Sequence, residues 1–434
     1  MRDQENQLIY SQTDFSWTTG EAGHMRNTLV VGGSLSWEDY QITQASLPRN
    51  PNGSLVAPLP IESISNPVTI YTGPVNFTIT SRSRSQTWNG AIYAFDTLEI
   101  SEMFELNGGV RLERNESNFR NLPLAFVPPD VVLTPAQLVP QQSEETLFSY
   151  RAGAVFKPTR LTSLYIAFGN AKTPSSATVR LGCTSGSGVT FVVFCDVAPE
   201  TARTYEIGGK ADLFHRRLQL TAALFRNERT NFRVASGDPI QPINQVLDGR
   251  SRVDGFTFGA SGNVTPEWTI FANYTYLDGE VLQSVSDLCL SQPGVNNANG
   301  RCAGVNSPEI PDPQAGDRLI QTPQHSGSLF TTYRLPFGLE IGYGLTYQGS
   351  FATHQRNLFQ PTQYFSDDFL IHRAFLSYAF DNGLTAQLNI QNFTNERYFT
   401  GIRNNVNATT GAITGGWASP GEDRSAVLSL FYSF

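Results

Sequence analysis

The chain has 434 residues, 40% apolar and 12% aromatic, with 37 glycines and a formal net charge of -8. That acidic balance, with no basic run to offset it, excludes general nucleic-acid binding, which needs a basic surface to neutralise phosphates. No window approaches the roughly 18 consecutive apolar residues of a membrane helix, so an α-helical membrane protein is excluded. The mean hydropathy of -0.24 leaves a membrane β-barrel open, because lipid-facing residues alternate with polar lumen-facing ones and the average cancels.

From Met1 to Asp14 there is neither a basic leader nor an apolar core of about 7 to 15 residues, so no signal peptide is expected and the chain reads as a fragment. Tight turns are expected at Thr19–His24, Ile100–Met103, Lys157–Arg160, Phe214–Arg217, Thr265–Glu267, Leu335–Gly338 and Asp381–Gly383. Between them lie long polar connections near 43–83, 118–143, 172–200, 234–246, 282–320, 354–363 and 401–421. Short turns at one end and long loops at the other are the habit of an outer-membrane barrel, with the short end periplasmic.

The segments between turns alternate with period 2, so one face is apolar and the other polar. Tyr205, Ile207, Ala211 and Leu213 alternate with Glu206, Lys210 and Asp212; Trp268, Ile270, Ala272, Tyr274 and Tyr276 alternate with Thr269, Asn273 and Thr275. Ile341, Tyr343, Leu345 and Tyr347 are separated by Gly342, Gly344 and Thr346, and Ala386, Leu388 and Ile390 by Gln387 and Asn389. The pattern predicts about fifteen strands, each supplying the roughly 9 to 11 residues that cross a bilayer. Single-chain bacterial barrels have even counts, so the odd number predicts strands upstream of Met1. Alone, the chain is expected to present unpaired first and last edges and not to close. In the last strand Ala426, Leu428, Leu430, Tyr432 and Phe434 form one apolar face against Ser425, Ser429 and Ser433. A terminal Phe on such a strand resembles the signal read by the barrel assembly machinery; the bland alternative is an ordinary amphipathic strand.

Several segments are similar to TonB-dependent siderophore receptors of the catecholate branch. They are PETARTYEIGGKADLFHRRLQLTAALFRNERTNFRV from Pro199, LDGRSRVDGFTFGASGNVTPEWTIFANYTYLDGEV, TPQHSGSLFTTYRLPFGLEIGYGLTYQG, NIQNFTNERYF and SPGEDRSAVLSLFYSF. The opening, NQLIYSQTDFSWTTGEAGHMRNTLVVGGSLSWEDY, resembles the same branch, so the likeness covers nearly the whole chain. The resemblance implies an all-β, transmembrane antiparallel barrel of 22 strands, of which residues 1–434 supply about fifteen, with an N-terminal plug and TonB box that are missing here. It implies uptake of a ferric siderophore across the outer membrane of a Gram-negative bacterium, energised through the TonB complex. The partners it implies are that complex, the barrel assembly machinery, the lipid bilayer and lipopolysaccharide, without nucleic acid. A passive porin, a receptor for another nutrient such as a vitamin or glycan, and a transport-incompetent remnant are the competing readings; the odd strand count disfavours the porin.

No catalytic constellation is present: no nucleophile elbow, phosphate loop or dinucleotide fingerprint occurs, so the chain is not expected to be an enzyme. His24, His215, His325, His354 and His372 are scattered without metal-ligand spacing, and neither a metal nor a cofactor is expected. Ferric catecholates are anionic with aromatic faces, which arginine and aromatic side chains recognise through charge-assisted bonds and cation–π contacts. In the long loops the candidates are Arg180, Phe191, Phe194, His354, Arg356, Tyr364, Arg403 and Trp417. The competing roles are an interfacial aromatic girdle and solvated or lipopolysaccharide-facing arginine. Cys183 and Cys195 share one long connection, Cys289 and Cys302 another. Pairing within each loop is expected over cross-loop bridges, free thiols or a metal site, since the exterior is oxidising and no C-x-x-C spacing occurs. Such bridges would brace two loops around a ligand entrance.

Overall fold

The computed structural model describes all residues except 1, 22, 47–48, 51, 55–77, 129–139, 175–183, 188–189, 194–198, 236, 238–244, 295–301, 408–409 and 434; at 46, 184–187, 190–193, 235 and 245–246 it describes backbone only. The first half contains β1 (Arg2–Gly20), β2 (Arg26–Ser46), β3 (Thr78–Glu99), β4 (Phe104–Asn121), β5 (Gln141–Thr159), β6 (Thr162–Thr173), β7 (Thr184–Ser187) and β8 (Thr190–Val193). Then follow β9 (Glu200–Leu213), β10 (Leu218–Ala235), β11 (Gln245–Asn263), β12 (Trp268–Gln283), the short helix α1 (Asp287–Ser291), β13 (His325–Arg334) and β14 (Leu339–Gln348). The chain ends with β15 (Phe369–Ala379), β16 (Leu384–Gln391), β17 (Phe399–Val406), β18 (Ile413–Pro420) and β19 (Ser425–Tyr432).

Among the described residues fifteen of these strands form one sheet in sequence order, and β7–β8 and β17–β18 form separate hairpins. Every pairing in the large sheet is antiparallel, with β1 and β19 as its edges. All seven expected tight turns join successive strands of this sheet. The turn at Phe214–Arg217 carries no glycine, yet Phe214, His215 and Arg216 have φ of 50°, 59° and 67°. Non-glycine residues reach this left-handed region at a cost of roughly 1–2 kcal/mol each; the Arg217 amide bonds back to the Leu213 carbonyl at 3.1 Å across the turn.

Cross-strand partners share a face, so the register shows which side chains form each surface of the wall. One row runs Ile92–Leu112–Phe148 across β3, β4 and β5. Another runs Ile166–Ile207–Leu224–Phe256–Tyr276 from β6 to β12. A third, Trp268–Tyr333–Ile341–Leu376–Leu388–Leu428, reaches the last strand. Many of these side chains are exposed, Ile92 at 66% and Leu428 at 66%. An exposed apolar belt this continuous is a lipid-facing surface rather than a protein core. Leu428 and Leu430 belong to it through their partners Leu388 and Ala386.

The opposite face is polar and closes on itself through side-chain pairs. Arg26 pairs with Glu99, Lys157 Nζ lies 2.8 Å from Glu105, and the Tyr165 hydroxyl donates to Glu206 at 2.6 Å. The Tyr93 hydroxyl donates to Asp14, and the Arg151 guanidinium lies 4.5 Å from the Phe95 ring centre. Charge on this face is tolerable where the interior is wet.

The strands of the first half are much longer than a bilayer needs. β3 has 22 residues and β4 has 18, against 10 each in β13 and β14. At about 3.3 Å per residue and a tilt near 45°, β3 rises roughly 50 Å, about twice the apolar band of a membrane barrel. Alternation continues above the belt with different chemistry. In β5 the inward Gln141, Ser143, Glu145 and Leu147 are buried, whereas the outward Gln142, Glu144 and Thr146 are exposed.

Candidate ligand-recognition site

At the long-connection end, the described residues 284–294 and 302–324 form a compact unit. Ser286 caps α1, its hydroxyl accepting the Cys289 amide at 3.1 Å. Cys289 and Cys302 are joined by a disulfide with Cα atoms 5.5 Å apart, packed with Val285, Leu288 and Val305 in a small apolar cluster. The fully buried Asn306 accepts the Gly294 amide at 3.0 Å and donates to the Cys289 and Pro311 carbonyls at 2.7 and 2.6 Å. Buried polar groups must be satisfied, and one asparagine here serves three backbone partners. The unit reaches the β10–β11 connection, where the Gly237 carbonyl accepts the Cys302 amide at 2.9 Å. Gly237 has φ of +74°, and a Cβ there would sit 2.2 Å from the Cys289 sulfur, so only glycine fits.

A second contact fastens this unit to residues 349–368. Asp317, 1% exposed, accepts the Arg356 amide at 2.8 Å and its Nε, while Arg356 Nη2 donates to the Ala315 carbonyl at 2.8 Å. Burial pushes the Asp317 carboxyl above the ordinary aspartate range, against the Arg356 hydrogen bonds and charge that pull it down. Gln363 Nε2 donates to the Arg318 and His354 carbonyls, both at 3.0 Å, and its Oε1 accepts the Arg318 amide at 3.0 Å. His354 is itself buried, its Nε2 donating to the Thr362 carbonyl at 3.0 Å, with its ring 5.3 Å from that of Tyr364.

The β17–β18 hairpin hangs on the same loop. The Asn404 amide donates to the Thr353 carbonyl at 3.0 Å, and its side chain donates to the Thr353 hydroxyl at 3.1 Å. Arg403 stands directly across the hairpin from Trp417, and both are exposed. A cavity of about 310 Å³ opens between the hairpin and the top of β14, lined in part by Trp417, Thr400, Phe351, Gln348 and Gln321.

Five of the eight sequence candidates therefore meet in one cluster: His354, Arg356 and Tyr364 on one loop, Arg403 and Trp417 on the adjoining hairpin. Within it their situations differ. Arg356 and His354 are engaged in holding loops together, whereas Tyr364, Arg403 and Trp417 present exposed side chains. Arg180, Phe194, Cys183 and Cys195 lie outside the described residues, and Phe191 lies in β8, whose side chains are not described. Sequence reading missed Asp317, Asn306, Thr353 and Gln363, the residues on which the cluster hangs. None belongs to a periodic pattern, so no local signal marks it. Among the described residues no group of three or more His, Cys, Asp or Glu is placed to hold a metal ion.

This wall, with its apolar belt, polar interior and loop platform, defines a receptor barrel. The family model described as "TonB dependent receptor-like, beta-barrel" matches residues 2–393, and the chain belongs to that family. As a member of it, the chain is an outer-membrane β-barrel protein and not an enzyme. It is 29% identical over 344 residues to the probable TonB-dependent siderophore receptor PiuA of Acinetobacter baumannii, covering 79% of this chain and 40% of PiuA. It is 28% identical over 445 residues to the catecholate siderophore receptor Fiu of Escherichia coli K12, covering 100% of this chain and 52% of Fiu. The crystal structure of Fiu in its closed form superposes with a TM-score of 0.75 at 25% identity, covering 99% of this chain and 55% of that one. The chain thus spans about half the length of the curated relatives it matches.

Proposed function

We propose that the chain forms part of the wall of an outer-membrane receptor that imports iron as a ferric siderophore, of catecholate rather than hydroxamate type, with transport energised through TonB. The observation that carries this reading is the family match over residues 2–393, together with relatives named as siderophore and catecholate siderophore receptors. The cluster at the long-connection end supports it chemically, since the exposed Arg403, Trp417 and Tyr364 offer a guanidinium and aromatic faces to an anionic, aromatic ligand. The open edges at β1 and β19 support a wall completed by further strands, with the plug and TonB box supplied by the same longer polypeptide. The apolar face of β19, from Ala426 to Tyr432, continues the belt and supports a membrane wall.

The test is growth of a siderophore-receptor-deleted host carrying the complete gene, on a panel of iron complexes. Growth on ferric catecholates is expected. Uptake of cobalamin or an oligosaccharide alone would sink the assignment, and growth on hydroxamates alone would overturn the ligand type.

A further inference from the structure

We propose that the cavity of about 310 Å³ between the β17–β18 hairpin and the top of β14 is a charge-free subsite for one hydroxylated aryl ring of the ligand, a ring not bound to iron.

Its lining is aromatic and neutral. Trp417 lies over Gly401, where a Cβ would stand 3.1 and 3.2 Å from carbons of the indole, so the absence of a side chain at 401 seats the ring. Phe351, 2% exposed, forms another part of the lining. Ser366 fixes it in both directions, its hydroxyl accepting the Phe351 amide at 3.1 Å and its own amide donating to the Phe351 carbonyl at 2.9 Å. Against these apolar surfaces stand the side-chain amides of Gln321 and Gln348 and the hydroxyl of Ser419, none with a hydrogen-bond partner among the described residues. Gln321 is held in the left-handed region, with φ of 56°, its backbone amide donating to the Ala352 carbonyl at 3.0 Å. Glutamine does not favour that conformation, and backbone held this way gathers at ligand clamps. An apolar hollow with a few convergent polar groups is the usual form of a small-molecule site.

Size and charge decide what fits. A dry cavity of about 150 Å³ takes benzene, so about twice that volume takes one ring with an amide linker and not a complex of several rings around a metal. Among the described residues no charged side chain lines the cavity, whereas an iron-bound catecholate ring carries negative charge that is costly to bury without a partner. Arg403, directly across the hairpin from Trp417, stands outside the lining and is left for the ferric centre. The subsite narrows the ligand to siderophores with an aryl arm outside the metal's coordination shell, a step that rests on the siderophore reading.

A fluorinated meta-hydroxybenzamide, uncharged at neutral pH and free of iron, serves as the probe, observed by fluorine NMR with the complete receptor in nanodiscs. Saturable line broadening is expected with the wild type. Gly401→Val, which displaces the Trp417 ring, should weaken binding by about tenfold, and Gln348→Leu by about fivefold. The matching hydroxybenzoate, which carries a carboxylate in place of the amide, should bind the wild type about tenfold more weakly. No saturable binding, equal binding of the carboxylate, or unchanged affinity in Gly401→Val would each overturn the proposal. The comparison of amide with carboxylate uses wild-type protein, so it decides the matter even if a variant does not fold. Because the probe lacks iron, absence of growth on ferric catecholates would fault the siderophore reading, whereas absence of probe binding would fault the subsite.

Discussion

The short-turn end and the long-connection end of this wall keep their backbone groups satisfied by different means. At the short-turn end the strands do so by pairing, from β1 to β19, and the side chains need only keep apolar residues on one face. At the other end the chain leaves the sheet for stretches such as 284–324 and 349–368, and specific side chains take over: Asn306, Gln363 and Asp317 serve carbonyls and amides that no strand partner reaches. The first arrangement tolerates exchange of one apolar residue for another. The second depends on individual atoms, and it holds the exposed residues that a ligand would meet.

The largest expected effect lies in the loops. Arg356→Ala would strand the 1% exposed Asp317 carboxylate and cost roughly 3 kcal/mol of local stability, at the lower end for a broken buried pair because Arg356 is partly solvated. Hydrogen exchange should rise across 312–320 and 350–365 while the strands stay protected; unchanged exchange in both segments would mean the pair carries no load.

In the belt, Ile166→Arg should cost roughly 2–4 kcal/mol if this position lies near mid-bilayer, whereas Thr275→Arg on the opposite face should cost under about 1 kcal/mol. Denaturant titration of the complete receptor in lipid vesicles would read the difference, and equal costs on the two faces would dissolve the distinction between them. Reducing the Cys289–Cys302 bridge, which spans 13 residues, should release about 3 kcal/mol of loop constraint. Limited proteolysis is then expected to begin within 284–324 under reductant, with the strands intact; cleavage starting in a strand would contradict the separation of the two ends.

The smallest effect concerns pH. Asp317 has its folded carboxyl raised above the unfolded value of about 4, so the native loops bind its proton more tightly than the unfolded chain does. Loop protection should therefore be greatest below about pH 4, decline as pH rises through the raised value, and level off above it. Asp317→Asn, which keeps an acceptor for Arg356, should flatten this dependence; a variant that retains it would assign the titration to another group.

These two ends also differ in what could be read from sequence. Alternation in Tyr205–Leu213 and Trp268–Tyr276, and turn signals such as Pro336–Gly338 and Asp381–Gly383, marked strands and hairpins because pleat and turn geometry impose a local period. The turn at Phe214–Arg217 was legible, but its run of three left-handed residues was not, since Phe and Arg do not favour that conformation and a single His does not mark a run of three. The loop-side ends of β2 to β5, residues 43–46, 78–83, 118–121 and 141–143, were hidden for another reason. Above the belt both faces are polar, so the outward Asn118 and Arg120 resemble loop residues although they remain paired in the sheet. In the cluster, exposed arginine and aromatic residues could be proposed by chemistry. The Asp317–Arg356 contact joins residues 39 positions apart, and the β17–β18 hairpin within a nominal loop has short strands rich in Gly and Asn; neither leaves a local signature.

The central claim is that one face of this wall meets lipid and the other meets water. Spin labels placed singly along β9 of the complete receptor in a bilayer test it directly, using collision with oxygen as the lipid-side probe and with a water-soluble nickel complex as the other. The account predicts strict alternation, with oxygen access dominant at 205, 207 and 211 and nickel access dominant at 206, 210 and 212. Equal nickel access at both sets of positions would contradict it.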